Sequence, residues 1–222
     1  VTPLELARAY ATLANGGVRP AVRFFEDLAD ASGRTLERSK ATSEAVLDPG
    51  TSYLAVSLLQ GVVDRGTAHA VRDAGITGPV AGKTGTSDES KDAWFAGFTP
   101  ELVAVVWVGF DQPRDMKLPA ASLAVPIWLR FLRDATGGAV PGAFEVPSSV
   151  HRIEIDPVTG AVALAGCPRR ASEYFLEGTE PRATCPEGGW SGDGDGRGAD
   201  DAGRSGERGR GGWLDRLFDR WF

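Results

Sequence analysis

The longest apolar run in the chain, residues 102–110 (LVAVVWVGF), constrains the fold more than any other segment. It is far shorter than the roughly 20 apolar residues that span a bilayer. Four of its nine residues are valines, whose branched side chains favour an extended backbone. An apolar run of this length without a polar break is typical of a strand covered on both faces. We therefore predict a β-strand here, buried on both sides.

Two further β-like segments precede this strand. Residues 80–86 (VAGKTGT) and 93–98 (AWFAGF) are separated by a polar loop at 87–91, and a short turn at 99–101 leads into the apolar run. Connections this short join neighbouring antiparallel strands, because a parallel pair needs a crossover of a dozen residues or more. The pattern predicts a three-stranded antiparallel meander.

Helical signals lie on both sides of the predicted meander. A first helix begins after Thr2, which has Glu5 at the spacing of a capping box, and ends at the Asn-Gly-Gly sequence of 15–17. A second helix covers about 48–66 and a third about 123–135. Helices on either side of an antiparallel sheet define an α+β fold.

Turn signals predict shorter β-structure elsewhere in the chain. Residues 30–33 (DASG) are expected to form a turn between short strands in the segment 18–47. Residues 156–160 (DPVTG) are expected to join the two strands of a hairpin, 153–155 and 161–164.

Composition divides the chain into three parts, a domain at 1–186, a linker at 187–212 and a short helix at 213–222. Eleven of the 26 residues in 187–212 are glycine and none is Val, Ile, Leu or Phe, so the segment cannot bury enough apolar surface to offset the entropy of ordering. The last ten residues carry an amphipathic helical stripe, which could contact a membrane surface, bind a partner protein or fold back on the domain: Trp213, Leu214, Leu217, Phe218, Trp221 and Phe222.

Charge and composition exclude several classes of function. The formal net charge is −6, which argues against nucleic acid as a partner because affinity for phosphate needs clustered cationic charge. Two cysteines and two histidines are too few and too scattered for a structural zinc site. We expect no metal and no cofactor.

The segment 82–87 (GKTGTS) is the one stretch whose residue types indicate a catalytic or binding site. It combines a cation, three hydroxyls and a glycine that allows close approach to the backbone. A phosphate-binding loop would need glycine at position 77, which is Thr77, and would continue into a helix. An edge strand protected by a lysine is the structural alternative.

The sequence on both sides of this segment, together with the segment itself, resembles the C-terminal part of the transpeptidase domain of class A (bifunctional) penicillin-binding proteins. The similarity covers roughly residues 1–165 in the family's order and spacing. It is carried by five sequences: VTPLELARAYATLANGG (1–17), LQGVV with RGTA (59–68), VAGKTGTS (80–87), DAWFAGFTP (92–100) and VWVGFD (106–111).

The resemblance implies acyl transfer from a peptide ending in D-Ala-D-Ala, through a serine that β-lactams trap. Three motifs build such a site, Ser-x-x-Lys, Ser-x-Asn and Lys-Thr-Gly. By resemblance, Lys83, Thr84 and Thr86 are catalytic residues, and substrate is bound by these three together with Gly85 and Ser87. Lys83 would attract the substrate carboxylate, the two threonine hydroxyls would donate to it, and the Thr86 N–H would donate to the developing oxyanion. Gly85 would let the peptide pair alongside as an added strand.

The other two motifs are absent from this sequence. No lysine has a serine three residues before it, and the only asparagine, Asn15, has Leu13 two places before it. A serine nucleophile needs an adjacent base, so we expect that this polypeptide alone does not acylate. Either it is a piece of a longer protein, or Val1 is an internal start assigned to a longer gene. The remaining possibility is a non-catalytic periplasmic module that binds peptide or partners through the same groove.

The resemblance also implies a location outside the cytoplasmic membrane, with an anchor and a glycosyltransferase domain in the parent protein. Such a compartment favours a disulfide between Cys167 and Cys185, with two free thiols as the alternative. The implied partners are the peptidoglycan stem peptide and β-lactams.

Overall fold

The computed structural model describes residues 1–87 and 90–185. The chain divides into two compact units, Val1–Ser148 and Ser149–Phe222. The predicted linker at 187–212 and the predicted amphipathic helix at 213–222 lie outside the described residues. Among the helices of the described segments, none is long and apolar enough to cross a membrane.

The described residues of the first unit form four helices and seven strands. In chain order they are α1 (Pro3–Ala14), β1 (Val18–Pro20), β2 (Asp27–Ala29), β3 (Thr35–Arg38), β4 (Ser43–Ala45), α2 (Pro49–Arg65), α3 (Ala70–Asp73), β5 (Ala81–Thr86), β6 (Asp92–Phe98), β7 (Val103–Gly109) and α4 (Ala120–Thr136). The α+β class predicted from the sequence is confirmed, with the three predicted helices as α1, α2 and α4.

Side chains at the helix starts explain where α1 and α2 begin. The Thr2 hydroxyl accepts a hydrogen bond from Glu5 N–H at 3.2 Å, and the Glu5 carboxylate accepts one from Thr2 N–H at 2.8 Å, which completes the predicted capping box. Asp48 caps α2 by accepting from Thr51 N–H at 3.0 Å.

The predicted meander is the central sheet, with strand order β5-β6-β7 and both pairs antiparallel. The strand predicted at 102–110 is present as β7, but the prediction that it is buried on both faces was wrong, because its side chains are only half-buried and Trp107 is 42% exposed. β7 lies at one edge of the sheet. The middle strand is β6, which pairs on both sides and buries Phe95 and Phe98 completely. An apolar run shows that a strand is hydrophobic but not which place it takes in a sheet.

Helices pack on opposite faces of the sheet. On one face, Trp128 of α4 stacks edge-on against Phe95 with ring centroids 5.2 Å apart, and its indole N–H donates to the Gly97 carbonyl at 3.2 Å. On the other face, Tyr10 of α1 meets Phe98 at 5.9 Å. Because successive side chains of a strand alternate between faces, β6 supplies the core on both sides.

The segment 18–47 forms two short antiparallel pairs, β1 with β4 and β2 with β3. The predicted turn at 30–33 connects β2 to β3, and the Asp30 carboxylate accepts hydrogen bonds from Ser32 N–H at 2.9 Å and Arg34 N–H at 3.1 Å.

The second unit pairs β8 (Val150–Ile155) with β9 (Ala171–Leu176) in an antiparallel sheet. The predicted hairpin partner at 161–164 is present only in part. Val162 lies opposite Ile155 in an antiparallel bridge and Ala163 N–H donates to the Glu154 carbonyl at 2.8 Å, but the strand that pairs along the whole of β8 is β9. The predicted turn itself is present, and the buried Asp156 carboxylate accepts from Val158 N–H at 3.0 Å. Cys167 and Cys185 are joined in a disulfide.

Replacing Gly97 by alanine should destabilise the first unit by about 1–3 kcal/mol, the usual cost of overpacking a core. An added Cβ would lie 2.6 Å from both the Phe95 ring and the Trp128 ring. Gly61→Ala is the matched control, because the nearest neighbour of its Cβ is the flexible end of Arg65, and alanine in a helix interior gains up to about 1 kcal/mol over glycine. Urea unfolding of both variants measures the difference, and equal effects would contradict this packing.

Alkylation of the unfolded chain should add two groups after treatment with reductant and none without it, since both cysteines are held in the disulfide. Intact-mass spectrometry reads the result directly. Equal masses under the two conditions would show that the thiols are free.

Candidate active site

Within the described residues, β5 pairs with another strand, β6, along one side only. Ser87 N–H donates to the Asp92 carbonyl at 3.1 Å, so these two residues, which continue the β5–β6 register, form a hydrogen-bonded pair. Because hydrogen-bonded and non-bonded pairs alternate along an antiparallel ladder, the backbone groups of Lys83 and Gly85 point towards β6. Those of Thr84 and Thr86 point away from it.

This outer edge of β5 has no strand partner in the part of the chain that the structure describes. The peptide N–H and C=O groups of Thr84 and Thr86 therefore form a short row of donors and acceptors. An extended peptide can add to such an edge as a further strand.

The side chains of β5 divide between the two faces of the sheet. Lys83 and Gly85 share one face with Trp94, which lies directly opposite Gly85 in the register. Thr84 and Thr86 share the other face with Phe95, which lies opposite Thr84. There is little room for a side chain at position 85, because a Cβ added to Gly85 would lie 3.3 Å from the Trp94 Cβ.

The Lys83 ammonium lies close to the outer edge. It is half-buried, and its Nζ donates a hydrogen bond to the Thr84 carbonyl oxygen at 3.0 Å. Burial lowers the pKa of the Lys83 amine below its usual value of 10.5, because removing water penalises the charged form. A cation beside peptide groups that pair with no other described strand favours an anionic ligand at this edge.

Thr67 is a site residue to which sequence reasoning assigned no role. It lies in the connection between α2 and α3, and its Oγ1 is 2.7 Å from the Oγ1 of Thr84. The only signal was its place in the sequence RGTA, one of the five that carry the family resemblance.

The remaining predicted residues lie at the end of the strand. Thr86 is exposed. The Ser87 hydroxyl oxygen accepts a hydrogen bond from Asp92 N–H at 2.8 Å and so helps to close the turn between β5 and β6. The five residues 83–87 thus follow one another along the edge and its turn, with Thr67 beside them.

Three potential metal-ligating side chains meet elsewhere in the described residues, namely Asp156, Cys167 and Cys185. The two sulfurs are bonded to each other. The carboxylate oxygens of Asp156 accept hydrogen bonds within their own turn, from Val158 N–H and the Thr159 hydroxyl. This group belongs to the second unit.

Residues 1–126 match the family described as the penicillin-binding protein transpeptidase domain, and residues 146–188 match the C-terminal domain of penicillin-binding protein 1A. The first match covers more than half of the chain. The chain therefore belongs to the penicillin-binding protein transpeptidase family, as the resemblance in its sequence predicted.

Sequence comparison with individual relatives indicates the same family. The chain is 35% identical over 193 residues to penicillin-binding protein 2D of Bacillus subtilis (strain 168), an alignment that covers 83% of this chain and 28% of the relative. It is 35% identical over 189 residues to penicillin-binding protein 1A of Aquifex aeolicus (strain VF5), with 84% and 26% covered. The chain thus spans little more than a quarter of the length of these curated relatives.

Solved structures share the fold. The crystal structure of penicillin-binding protein 1A from Haemophilus influenzae superposes with a TM-score of 0.76 at 27% identity, covering 83% of this chain and 33% of that one. The structure of PonA1 from Mycobacterium tuberculosis gives a TM-score of 0.55 at 26% identity, covering 66% and 41%.

The pKa of the Lys83 amine should lie below its usual value of 10.5, because burial on folding removes water from the charged form. A folded pKa below the unfolded one means that the unfolded chain binds more protons between the two values, so this group makes the protein more stable as pH rises through that window. NMR titration of the Lys83 side chain in the folded and in the denatured chain measures both pKa values. A folded pKa of Lys83 equal to the denatured one, or above it, would contradict the burial seen here.

Proposed function

We propose that the edge of β5 forms one wall of the active site of a peptidoglycan D,D-transpeptidase. One observation carries the proposal: the peptide groups of Thr84 and Thr86 point to an edge with no described strand partner, and the Lys83 ammonium lies within 3.0 Å of one of them. Membership of the transpeptidase family supports the same assignment.

In this proposal the substrate peptide lies along β5 as an added strand, with its D-Ala-D-Ala carboxylate near Lys83. The hydroxyls of Thr84 and Thr86 donate to that carboxylate, and Ser87 completes the surface at the turn. The Thr86 N–H is one of the two donors to the oxyanion that develops when the peptide carbonyl is attacked. Gly85 keeps the sheet face beside Trp94 free of a side chain.

The attacking serine and its lysine are not in this sequence. They would come from a Ser-x-x-Lys segment, together with a Ser-x-Asn segment, in a part of the polypeptide that lies outside this sequence. The serine oxygen would bond to the peptide carbonyl carbon, the terminal D-Ala would leave with a proton, and the acyl group would pass to an amine of a neighbouring strand. β-Lactams would occupy the same edge.

We further propose that the whole protein acts at the outer face of the cytoplasmic membrane, where its peptidoglycan substrate is found, with its anchor and glycosyltransferase domain in the rest of the polypeptide. The terminal stripe of Trp213, Leu214, Leu217, Phe218, Trp221 and Phe222 is proposed to contact the membrane surface or a partner protein. Deleting 213–222 and measuring co-sedimentation with liposomes separates these two cases.

The second candidate function is a non-catalytic periplasmic module that binds peptides or partners at the same edge. The absence of Ser-x-x-Lys and Ser-x-Asn from this sequence favours it. Genomic sequence distinguishes the two candidates, because both motifs in frame upstream of Val1 support the transpeptidase, whereas a stop codon and a ribosome-binding site there support the module.

Incubation of the purified 222-residue chain with a fluorescent penicillin should leave no covalent adduct, because the sequence contains no Ser-x-x-Lys segment to supply an activated serine. Denaturing electrophoresis with fluorescence detection reads the result. A labelled band would refute the assignment of the nucleophile to another segment.

The chain should bind an N-acylated peptide ending in D-Ala-D-Ala without covalent reaction, and Lys83→Met should weaken that binding by about tenfold or more, the usual range for a lost charge-assisted hydrogen bond. ¹H–¹⁵N NMR titration measures the affinity and should shift the amides of Thr84 and Thr86. Lys40→Met is the matched control, since Lys40 is exposed and lies in the segment before β4. Equal binding of a peptide ending in L-Ala-L-Ala would refute the proposed substrate class.

A further inference from the structure

Three threonine hydroxyls lie at the outer edge of β5. Thr84 and Thr86 are two residues apart on one strand and therefore point to the same face of the sheet. Thr67 approaches from the α2–α3 connection and contacts Thr84, with 2.7 Å between the two hydroxyl oxygens. This distance is that of a good O–H···O hydrogen bond.

The backbone holds Thr67 in place from both sides. Gly66 N–H and Ala68 N–H both donate to the carbonyl of Val62 in α2, at 3.1 and 3.2 Å. The Ala68 side chain is fully buried. The Thr67 hydroxyl is thus presented to β5 by a segment that is anchored to the end of a long helix.

A hydroxyl has one proton to donate, which limits what the pair can do. When Thr67 donates to Thr84, the proton of Thr84 remains for a ligand, and that O–H is polarised by the bond it accepts. When Thr84 donates to Thr67, Thr84 has no proton left for a ligand. An anion at the edge favours the first arrangement, because it attracts the free proton of Thr84.

We propose that Thr67 is a positioning residue, which donates to the Thr84 hydroxyl and so directs the Thr84 proton at the terminal carboxylate of the bound peptide. The inference rests on the proposed function, since it takes that carboxylate as the ligand of the edge. Thr67 thereby contributes to discrimination between a free carboxylate and an uncharged peptide end. A carboxamide has one acceptor oxygen and no charge, so it gains less from the directed proton.

The test compares two peptides and two substitutions in the 222-residue chain. The peptides end in D-Ala-D-Ala, one with a free carboxylate and one with a C-terminal amide. Thr67→Val removes the hydroxyl at nearly constant shape, and Thr67→Ser keeps it. Affinities come from ¹H–¹⁵N NMR titration, and unchanged amide shifts of β6 and β7 show that a variant is folded.

Thr67→Val should weaken binding of the carboxylate peptide by about three- to tenfold, the range for one neutral hydrogen bond. Binding of the amide peptide should stay the same, and Thr67→Ser should retain the affinities of the parent chain. Thr179→Val is the matched control, because its hydroxyl also makes a hydrogen bond, to the Leu176 carbonyl at 2.8 Å, but in the second unit. Equal weakening for both peptides, or none for either, overturns the proposal.

A second measurement needs no ligand. Coupling constants report the χ1 angle of Thr84, which should hold one rotamer in the parent chain and in Thr67→Ser and should average over rotamers in Thr67→Val. An unchanged rotamer in Thr67→Val overturns the positioning role. Failure of the parent chain to bind either peptide overturns the proposed function, and with it this inference, whatever the rotamer result.

Discussion

In the part of the chain that the structure describes, β5 pairs with a strand along one side only, the side of β6, and this asymmetry gives the candidate site its chemistry. An antiparallel ladder uses the peptide groups of alternate residues, so the partner strand takes those of Lys83 and Gly85 and leaves those of Thr84 and Thr86 at the outer edge. A strand paired on both sides would offer a substrate only its side chains. Here the backbone of Thr84 and Thr86 itself offers hydrogen-bond donors and acceptors to a ligand, at a fixed spacing.

The middle strand makes this arrangement rigid. β6 pairs with β5 and β7 at once and is anchored on both faces, through Phe95 against Trp128 and through Phe98 against Tyr10. The close packing of Gly97 against both rings fixes the separation between the sheet and α4. The position of the edge is therefore set by core contacts that lie one strand away from it, which lets the edge be open without being mobile.

Much of this fold could be predicted from the sequence because local signals and tertiary contacts agree. The capping box at Thr2, the aspartate cap at Asp48 and the short connections of the meander are all satisfied within a few residues of one another. Two predictions held only in part. The burial of β7 depends on what covers the faces of the sheet, and the pairing of 161–164 depends on which segments become neighbours in a sheet. Strands that pair can be far apart in sequence, as β8 and β9 are, and a local sequence pattern does not indicate which strands will pair.

The candidate site could likewise be predicted from the sequence only in part. Residues 83–87 are contiguous, so their composition alone indicates the site, and the alternation of β5 decides which of them offers its backbone and which its side chain. Thr67 is 17 residues from Thr84, and the two hydroxyls meet only because α2 ends where it does against β5. A hydroxyl pair made by the end of a helix and the edge of a strand depends on helix length and packing together. Lengthening or shortening α2 by one residue would rotate the following connection by about 100° around the helix axis, since 3.6 residues make one turn. Thus the length of α2 sets the position of Thr67, even though no residue of that helix is among those assigned to the site.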